Sequence, residues 1–310
     1  MSMVLSLLHK NPGEDGSLAN GQSVLHQITI TLPQPLLQRP SPRAKGNHST
    51  NAELNRFSQI YPESTLEHMP EAAYCNHFIS KEVFVYQLYI ANKNYSSWSL
   101  RPWLLLTELN IPFTEQLQQF LPDNFANFSR FSPTAKVPCL HDGETVVWES
   151  LAIVEYLAER HEGVWPADAK ARNYARCAAS EMHAGFSALR NICGMNCGVR
   201  VKLHQYPAAL AKDVQRIDAL WQQGLTEFGG PFLAGNNFSA VDAFFAPVVF
   251  RIQSYGLELS APAMAYAKRI LALPGMQSWY QAALNESWRD EGHEDEMRAS
   301  GIVVSDLRLS

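Results

Sequence analysis

From residue 83 onwards, apolar positions recur with two alternating periods. The run VFVYQLYIA, residues 83–91, is rich in β-branched and aromatic side chains and predicts a strand. Residues 99–110 repeat apolar side chains at helical spacing, and IPFTEQLQQF predicts a second strand. A short helix or turn over NFANFSRF, a hairpin turning at Asp142-Gly143 and an amphipathic helix over SLAIVEYLAERH follow. The order β-α-β-α-β-β-α predicts a compact α/β domain over residues 83–162.

The second half of the chain shows helical spacing almost throughout. Trp165-Pro166, within EGVWPADA, breaks the pattern and indicates a linker. Beyond it, long segments repeat apolar side chains every three or four positions. We therefore predict an all-helical domain over residues 168–290 and a polar tail over residues 291–310.

Residues 1–80 have a different composition from the rest. Seven of the 18 prolines lie there, among polar stretches such as NPGEDGSLANGQ. Such a segment buries too little apolar surface to offset its chain entropy. We expect a disordered or loosely structured N-terminal extension.

Composition narrows the classes of partner and compartment. The chain has 310 residues, 46% of them hydrophobic, which suits about two folded domains. A net charge of -5 argues against a nucleic-acid partner, and no apolar run approaches the ~18 residues needed to cross a membrane. MVLSLL is too short for a signal-peptide core and lacks a basic lead-in. The five scattered cysteines indicate a reducing, cytoplasmic location, and because no histidine stands near Cys193 and Cys197, we expect no metal.

The stretch NYSSWSLRPW, residues 94–103, places several hydroxyls where a helix begins. Proline lacks an N–H and is tolerated in the first turn, so Pro102 predicts a cap at Trp98 or Ser99. Ser96 then lies just ahead of the helix N-terminus, where free N–H groups and the helix dipole favour an anion. The simpler interpretation is that these serines only compete to cap the helix.

Two later stretches add recognition groups. A cis bond at Val137-Pro138 would leave the backbone groups of Val137 free to pair with an extended peptide. In WES, Ser150 can cap the following helix while receiving a carboxylate, and Glu149 can bind an ammonium. Thiolate, backbone and α-amino-acid recognition together match the groups of glutathione.

These motifs resemble the glutathione transferase superfamily over about residues 83–290. YSSWSLRPWLLL is similar to its serine-type active-site stretch, VPCL to its cis-proline motif and ES to its γ-glutamyl site. FLAGNNFSAVDAFFAPVV resembles its C-terminal capping motif, with Ser239 as N-cap, Asp242 as reciprocal partner and Phe238 as hydrophobic staple. The resemblance implies a thioredoxin-like glutathione-binding domain followed by an all-α domain.

By this resemblance Ser96 is the catalytic residue that activates the thiol, with Tyr95 and Ser99 as the alternatives. Both positions of a redox CxxC pair are serines, so disulfide exchange at this site is not expected. A free thiol has a pKa of about 8.5, and lowering it by about two units takes ~2.7 kcal/mol. A hydroxyl hydrogen bond and the helix dipole can supply that without the serine ionising.

The acceptor pocket is expected between the two domains, lined by Met182, His183 and Phe186, with Asn196 a further candidate. His183 is interpreted as a packed or interface histidine. Arg101 is expected to be a solvated or inter-domain charge, and Trp98 to pack at the domain seam.

The resemblance implies a cytoplasmic, homodimeric glutathione transferase acting on small electrophiles or hydroperoxides. Glutathione would be its co-substrate, without a metal, nucleic-acid or membrane partner. Since SSWS also resembles the zeta class, a glutathione-dependent isomerase is the alternative enzyme. A non-catalytic glutathione-binding or stress-response module is the alternative of another class. The acceptor is not encoded in any of these motifs, because such a pocket selects by shape.

Overall fold

The computed structural model describes residues 2–9, 24–31 and 85–309 and divides the chain into two units, Met1–Lys81 and Glu82–Ser310. In the first unit, β1 (Ser2–His9) pairs antiparallel with β2 (Val24–Thr31). The sequence pattern did not predict these two strands. Disorder over the rest of residues 1–80 remains a prediction that lies outside the described residues.

The second unit begins with the predicted α/β order. Its four-stranded sheet has the order β4-β3-β5-β6, with β3 parallel to β4 and antiparallel to β5. The strands are β3 (Tyr86–Ala91), β4 (Phe113–Gln118), β5 (Cys139–Asp142) and β6 (Thr145–Trp148). The helices are α1 (Ser97–Glu108), α2 (Asn124–Phe128) and α3 (Ser150–Ala158). The predicted succession of elements is confirmed, including the hairpin between β5 and β6.

Helix α1 begins earlier than its proline suggested. Its N-cap is Ser96, so the predicted cap at Trp98 or Ser99 is wrong, and Pro102 lies in the second turn. There the missing N–H leaves the carbonyl of Trp98 without its usual helical donor. Almost every residue from Ser97 to Leu106 is buried, and α1 packs against β3, α3 and α7. This packing outweighs the local preference of the proline.

The remainder of the unit is helical with one small sheet. Its helices are α4 (Ala169–Ala184), α5 (Ser187–Ile192), α6 (Ala208–Phe228), α7 (Ala240–Tyr255), α8 (Ala261–Leu271), α9 (Pro274–Asn285) and α10 (Glu291–Ser300). An antiparallel pair, β7 (Val199–Leu203) and β8 (Gly301–Asp306), interrupts the helical pattern. The prediction of a domain without strands is corrected by this pair.

Where a polar tail is expected, over residues 291–310, the structure has α10 and β8, which together cover residues 291–306. Glu294 and Met297 are buried on one face of α10. Arg308 pairs with Glu294 and with Asp306, the latter at 2.7 Å. Polar side chains are buried here because they satisfy one another, and apolar periodicity does not detect that arrangement.

Helix α7 is buried along almost its whole length. Its N-terminus is formed by the predicted capping box of Ser239 and Asp242. The carboxylate of Asp242 accepts a hydrogen bond from the backbone N–H of Ser239 at 3.0 Å. The same buried carboxylate accepts the N–H of Leu233 and the hydroxyl of Tyr266, each at 3.0 Å. Phe238 is buried ahead of the cap. Asp242 thus joins the preceding loop, α7 and α8.

The described cysteines are unpaired, and three of these four thiols are buried. Burial raises the pKa of Cys139 to about 11 and that of Cys193 to about 12, so both stay protonated at neutral pH. Across residues 85–309 and the two N-terminal strands, no helix is both long and apolar enough to span a bilayer.

Replacing Asp242 with alanine should destabilise the protein by roughly 3–5 kcal/mol, because buried donors lose their acceptor. Urea unfolding measures the loss. Asp168→Ala is the control, since Asp168 caps α4 through Ala171 N–H at 2.8 Å but is exposed. That change should cost only about 1 kcal/mol. Equal losses would show that Asp242 is an ordinary cap.

Candidate functional site

The loop between β3 and α1, residues 92–96, is held by a carboxylate from the far end of the chain. Glu286, at the end of α9, accepts the backbone N–H of Lys93 at 2.6 Å and that of Asn94 at 3.2 Å. It also accepts the side-chain amide of Asn94 at 3.1 Å. Burial raises the pKa of Glu286, and these N–H donors oppose the rise. The backbone of the β3–α1 loop therefore depends on a residue almost 200 positions away.

Further bonds from the helical part hold the same loop. The indole of Trp279 donates to the carbonyl of Lys93 at 2.9 Å, and the amide of Asn94 donates to the carbonyl of Ala283 at 2.6 Å. The ammonium of Lys93 lies 2.8 Å from Glu115 and faces the rings of Trp103 and Trp279. These contacts leave little freedom in the position of the hydroxyls that follow.

Ser96 caps α1 with its backbone, and its side chain makes no capping bond. Instead its hydroxyl donates to Ser99 Oγ at 2.7 Å. Ser99 Oγ also accepts the N–H of Ala91, at the end of β3, at 3.4 Å. Both serines are buried. Ser96 is therefore the N-cap of α1, as the capping interpretation expects of one of these serines, but its hydroxyl is directed to a second hydroxyl and not to the helix backbone.

Tyr95 belongs to a different cluster. Its buried hydroxyl donates to Glu294 at 2.7 Å, and Arg308 donates to the Tyr95 oxygen at 3.3 Å. Burial, together with the bond to Glu294, raises the pKa of Tyr95 well above its usual value. The side-chain amide of Asn196 also donates to Glu294, at 3.1 Å. Tyr95 thus anchors α10 and the residue Arg308, which follows β8, to the β3–α1 loop.

The peptide bond between Val137 and Pro138 is cis, as expected. Pro138 is buried directly before β5, and Val137 is half-buried. Within the described residues, Val137 takes part in no backbone hydrogen bond with another loop. The backbone of Val137 is therefore available beside the sheet.

At the start of α3, Glu149 occupies the N-cap position expected for Ser150. Glu149 is the N-cap, with φ at 69°, and Ser150 is the first helical residue, so the predicted cap at Ser150 is wrong. Glu149 is exposed, whereas Ser150 is fully buried and accepts a 3.4 Å bond from Arg101 Nη1. The free N–H groups of the helix start and the exposed carboxylate of Glu149 are adjacent.

Trp98 lies at the seam between the two parts of the unit, as predicted. The guanidinium of Arg101 is 4.1 Å from the centre of its ring and 4.8 Å from that of Phe244. His183 meets the Trp98 ring edge-on, with ring centres 5.2 Å apart. Arg101 is 1% exposed, so the interpretation as a solvated charge is wrong and the inter-domain one is confirmed.

The residues predicted to line the acceptor pocket separate into two groups. Met182 and Phe186 are buried within the hydrophobic core. His183 is half-buried and faces Trp98. Helical periodicity cannot distinguish core positions from pocket positions, so the sequence alone does not separate Met182 and Phe186 from His183.

The sequence pattern does not indicate Glu286, Glu294 or Arg308, which hold the β3–α1 loop and Tyr95. No local signal identifies them, since each pairs with residues far along the chain. In the described part of the chain, no group of three or more His, Cys, Asp or Glu side chains could hold a metal.

Glu286→Gln should lower the free energy of unfolding by about 2–3 kcal/mol, because an amide places a donor against N–H groups that need an acceptor. Hydrogen exchange at Lys93 and Asn94 should quicken more than at the core strand β3. The exposed Glu258→Gln serves as the control and should change stability by less than about 0.5 kcal/mol. Unchanged exchange at both amides would contradict the anchoring role of Glu286.

Comparisons with known proteins cover both parts of this unit. The family models for the glutathione S-transferase N-terminal and C-terminal domains match residues 95–160 and 168–282. Glutathione S-transferase GstB of Escherichia coli K12 is 28% identical over 191 residues, 57% of this chain and 84% of GstB. A probable maleylacetoacetate isomerase of Caenorhabditis elegans is 27% identical over 178 residues, 56% of this chain and 81% of that protein.

Solved structures share the fold. Glutathione S-transferase unclassified 2 from Bombyx mori has a TM-score of 0.54 at 20% identity, covering 70% of this chain and 99% of that one. A glutathione transferase homolog from Burkholderia, solved with bound glutathione, has a TM-score of 0.51 at 20% identity, covering 64% and 98%. The two family models occur in the order of the α/β and helical parts, and together with these relatives they show that the chain belongs to the glutathione transferase superfamily.

Proposed function

We propose that the protein is a glutathione transferase that activates the glutathione thiol for attack on small electrophiles or hydroperoxides. The observation that carries the proposal is the position of Ser96. Its hydroxyl lies at the N-terminus of a long buried helix, makes no capping bond and is joined to Ser99 at 2.7 Å. A thiolate at this point would meet a hydroxyl donor and the positive end of α1.

The two serines support each other as donors. When Ser96 turns its proton toward sulfur, Ser99 can donate to Ser96 Oγ while still accepting from Ala91 N–H. Hydrogen bonds in such a chain polarise one another, so the terminal hydroxyl becomes a better donor. The thiol proton leaves for solvent, and Ser96 itself never ionises.

The reaction then follows from the thiolate. Its sulfur forms a bond to the electrophilic carbon, and the leaving group departs with its electron pair. With a hydroperoxide, sulfur attacks the terminal oxygen, the O–O bond breaks and the alkoxide takes a proton. A second glutathione converts the resulting sulfenic form to the disulfide and releases water.

Glutathione is proposed to lie along the α/β part. Its backbone would pair with Val137 beside the cis bond, its γ-glutamyl carboxylate with Ser150 and the start of α3, and its ammonium with Glu149. The exposure of Glu149 and the free N–H groups of α3 support this assignment. The glutathione bound in the Burkholderia homolog supports the choice of ligand.

The alternative enzyme is a glutathione-dependent isomerase. The relative from Caenorhabditis elegans and one from Vibrio cholerae, 27% identical over 160 residues, are both named probable maleylacetoacetate isomerase. Turnover of maleylacetoacetate without consumption of glutathione would favour it. Binding of glutathione without turnover of either kind of substrate would favour the non-catalytic module.

The proposal includes a cytoplasmic homodimer. Unpaired cysteines suit a reducing compartment, and the exposed aromatic rings of Phe125 and Trp148 on the α/β part suit a contact with a second copy. Light scattering that gives the mass of one chain would contradict the dimer.

Ser96→Ala should lower kcat for 1-chloro-2,4-dinitrobenzene by roughly 10–100-fold at pH 7, because about 1.4–2.7 kcal/mol of thiolate stabilisation is lost. The pKa of bound glutathione, followed by thiolate absorbance, should rise by one to two units. Ser99→Ala should cause a smaller loss in the same direction.

Tyr95→Phe is the matched control for a hydroxyl, and its main effect should be on stability, because Glu294 loses a buried donor. If Tyr95→Phe raises the thiol pKa and Ser96→Ala does not, Tyr95 is the activating residue.

Glu149→Gln combined with Ser150→Ala should weaken glutathione binding by about 2–4 kcal/mol, through the loss of charge-assisted hydrogen bonds. Calorimetry measures the affinity, and thermal unfolding separates it from stability. Glu144→Gln, an exposed acid in the neighbouring hairpin, is the control. Unchanged affinity in the double variant would remove both residues from the site.

A further inference from the structure

Two arginine guanidinium groups and one histidine imidazole, from both parts of the unit, lie around the ring of Trp98. The guanidinium of Arg101 is 4.1 Å from the centre of its ring, and that of Arg190 is 5.3 Å away. His183 adds an imidazole edge-on to the same ring, at 5.2 Å. We call Trp98, Arg101, His183 and Arg190 the Trp98 cluster.

Arg101 is buried without an acidic partner in the part of the chain that the structure describes. Its Nε makes no hydrogen bond there, and its Nη1 has only the 3.4 Å bond to Ser150. Burial lowers the pKa of Arg101 well below its usual value, and Arg251 and Arg190 act in the same direction. The charge of the exposed Glu149 opposes them. A buried guanidinium favours a carboxylate, which can accept two of its N–H groups at once.

His183 provides a second donor at the same place. Its Nδ1 is buried and has no hydrogen-bond partner within the described residues. Burial and the nearby Arg101 lower the pKa of His183, so the ring is neutral at pH 7 and keeps one N–H to donate. Both side chains contact the Phe244 ring as well, at 4.8 Å for Arg101 and 6.4 Å for His183.

The cluster begins in the first turn of α1, where Trp98 follows the N-cap Ser96 by two residues. The groups assigned above to glutathione come from the α/β part, whereas His183 lies on α4 and Arg190 on α5 of the helical part. A ligand group bound by these two side chains would therefore belong to the second substrate.

We propose that the Trp98 cluster binds a carboxylate of the acceptor, so that the preferred substrates are electrophiles bearing a negative charge. This inference rests on the proposed transferase function and specifies the substrate class of that site. Arg190, which is half-buried, is the accessible charge, and Arg101 adds a buried positive field behind it. The γ-glutamyl carboxylate of glutathione is the other carboxylate that the cluster could bind. The experiment distinguishes it from a carboxylate of the acceptor.

The test compares 4-chloro-3-nitrobenzoate with 4-chloro-3-nitrobenzamide, which differ in charge and hardly in shape. In each reaction the glutathione sulfur bonds to the carbon that carries chlorine, and chloride leaves with the bonding electrons. Each kcat/KM is divided by the uncatalysed rate constant with glutathione, which removes the difference in intrinsic reactivity. The wild-type ratio should favour the benzoate by about tenfold or more and should fall with added salt.

Arg190→Gln should bring this ratio close to one, and Arg190→Lys should retain part of it, since the charge remains without the fork of donors. Lys268→Gln removes an exposed charge on α8 and should leave the ratio unchanged. A wild-type ratio near one, with the benzamide turned over, overturns the inference and leaves the transferase function intact. That outcome is measured on the wild-type protein, so it does not depend on whether any variant folds.

Binding measurements cover the case in which neither compound is turned over and the transferase function itself fails. Calorimetry with 4-nitrobenzoate and 4-nitrobenzamide should then show at least about tenfold tighter binding of the benzoate, lost in Arg190→Gln. Equal affinities overturn the inference. A loss of glutathione affinity in Arg190→Gln as large as the loss for 4-nitrobenzoate would assign the carboxylate to glutathione and overturn the acceptor assignment.

Discussion

One buried carboxylate holds together the two parts of this fold where the chemistry is proposed. Glu286 accepts two consecutive backbone N–H groups and a side-chain amide from the β3–α1 loop. A loop that leaves a strand and enters a helix cannot satisfy these groups internally, and burial without a partner would cost free energy for each. Because the acceptor comes from the end of α9, the position of Ser96 is coupled to the folding of the helical part.

The C-terminal segment strengthens this coupling through charge. Glu294 on α10 is enclosed by donors from Tyr95, Asn196 and Arg308, and Arg308 also pairs with Asp306. A buried ion pair is costly to desolvate unless its remaining hydrogen-bonding capacity is filled, and here it is filled. The hydroxyl of Tyr95 is used in the hydrogen bond to Glu294, which stabilises the fold. The hydroxyls of Ser96 and Ser99 are the ones that lie beside the start of α1.

Around Trp98, in the first turn of α1, the electrostatic balance is reversed. Arg101 is enclosed between Trp98 and Phe244. Within the described residues it has no ion pair with an acid, and burial lowers its pKa, which the charges of Arg251 and Arg190 lower further. Aromatic faces stabilise a guanidinium, yet they do not neutralise it. The first turns of α1 therefore combine a helix N-terminus, two hydroxyls and a buried cation. All of these favour negative charge in a bound molecule.

The local sequence determined those features whose physical cause is local. β-Branched strands, the turn at Asp142-Gly143 and the reciprocal bond between Ser239 and Asp242 depend on neighbours a few residues apart, and all were predicted. The start of α1 was not, because burial of the whole helix outweighs the preference of Pro102 for a first turn. Glu286, Arg308 and the environment of Arg101 could be found only in the tertiary structure. A carboxylate or guanidinium has the same letter in the sequence whether it is solvated or buried, and only the packing of distant segments decides which partners replace water.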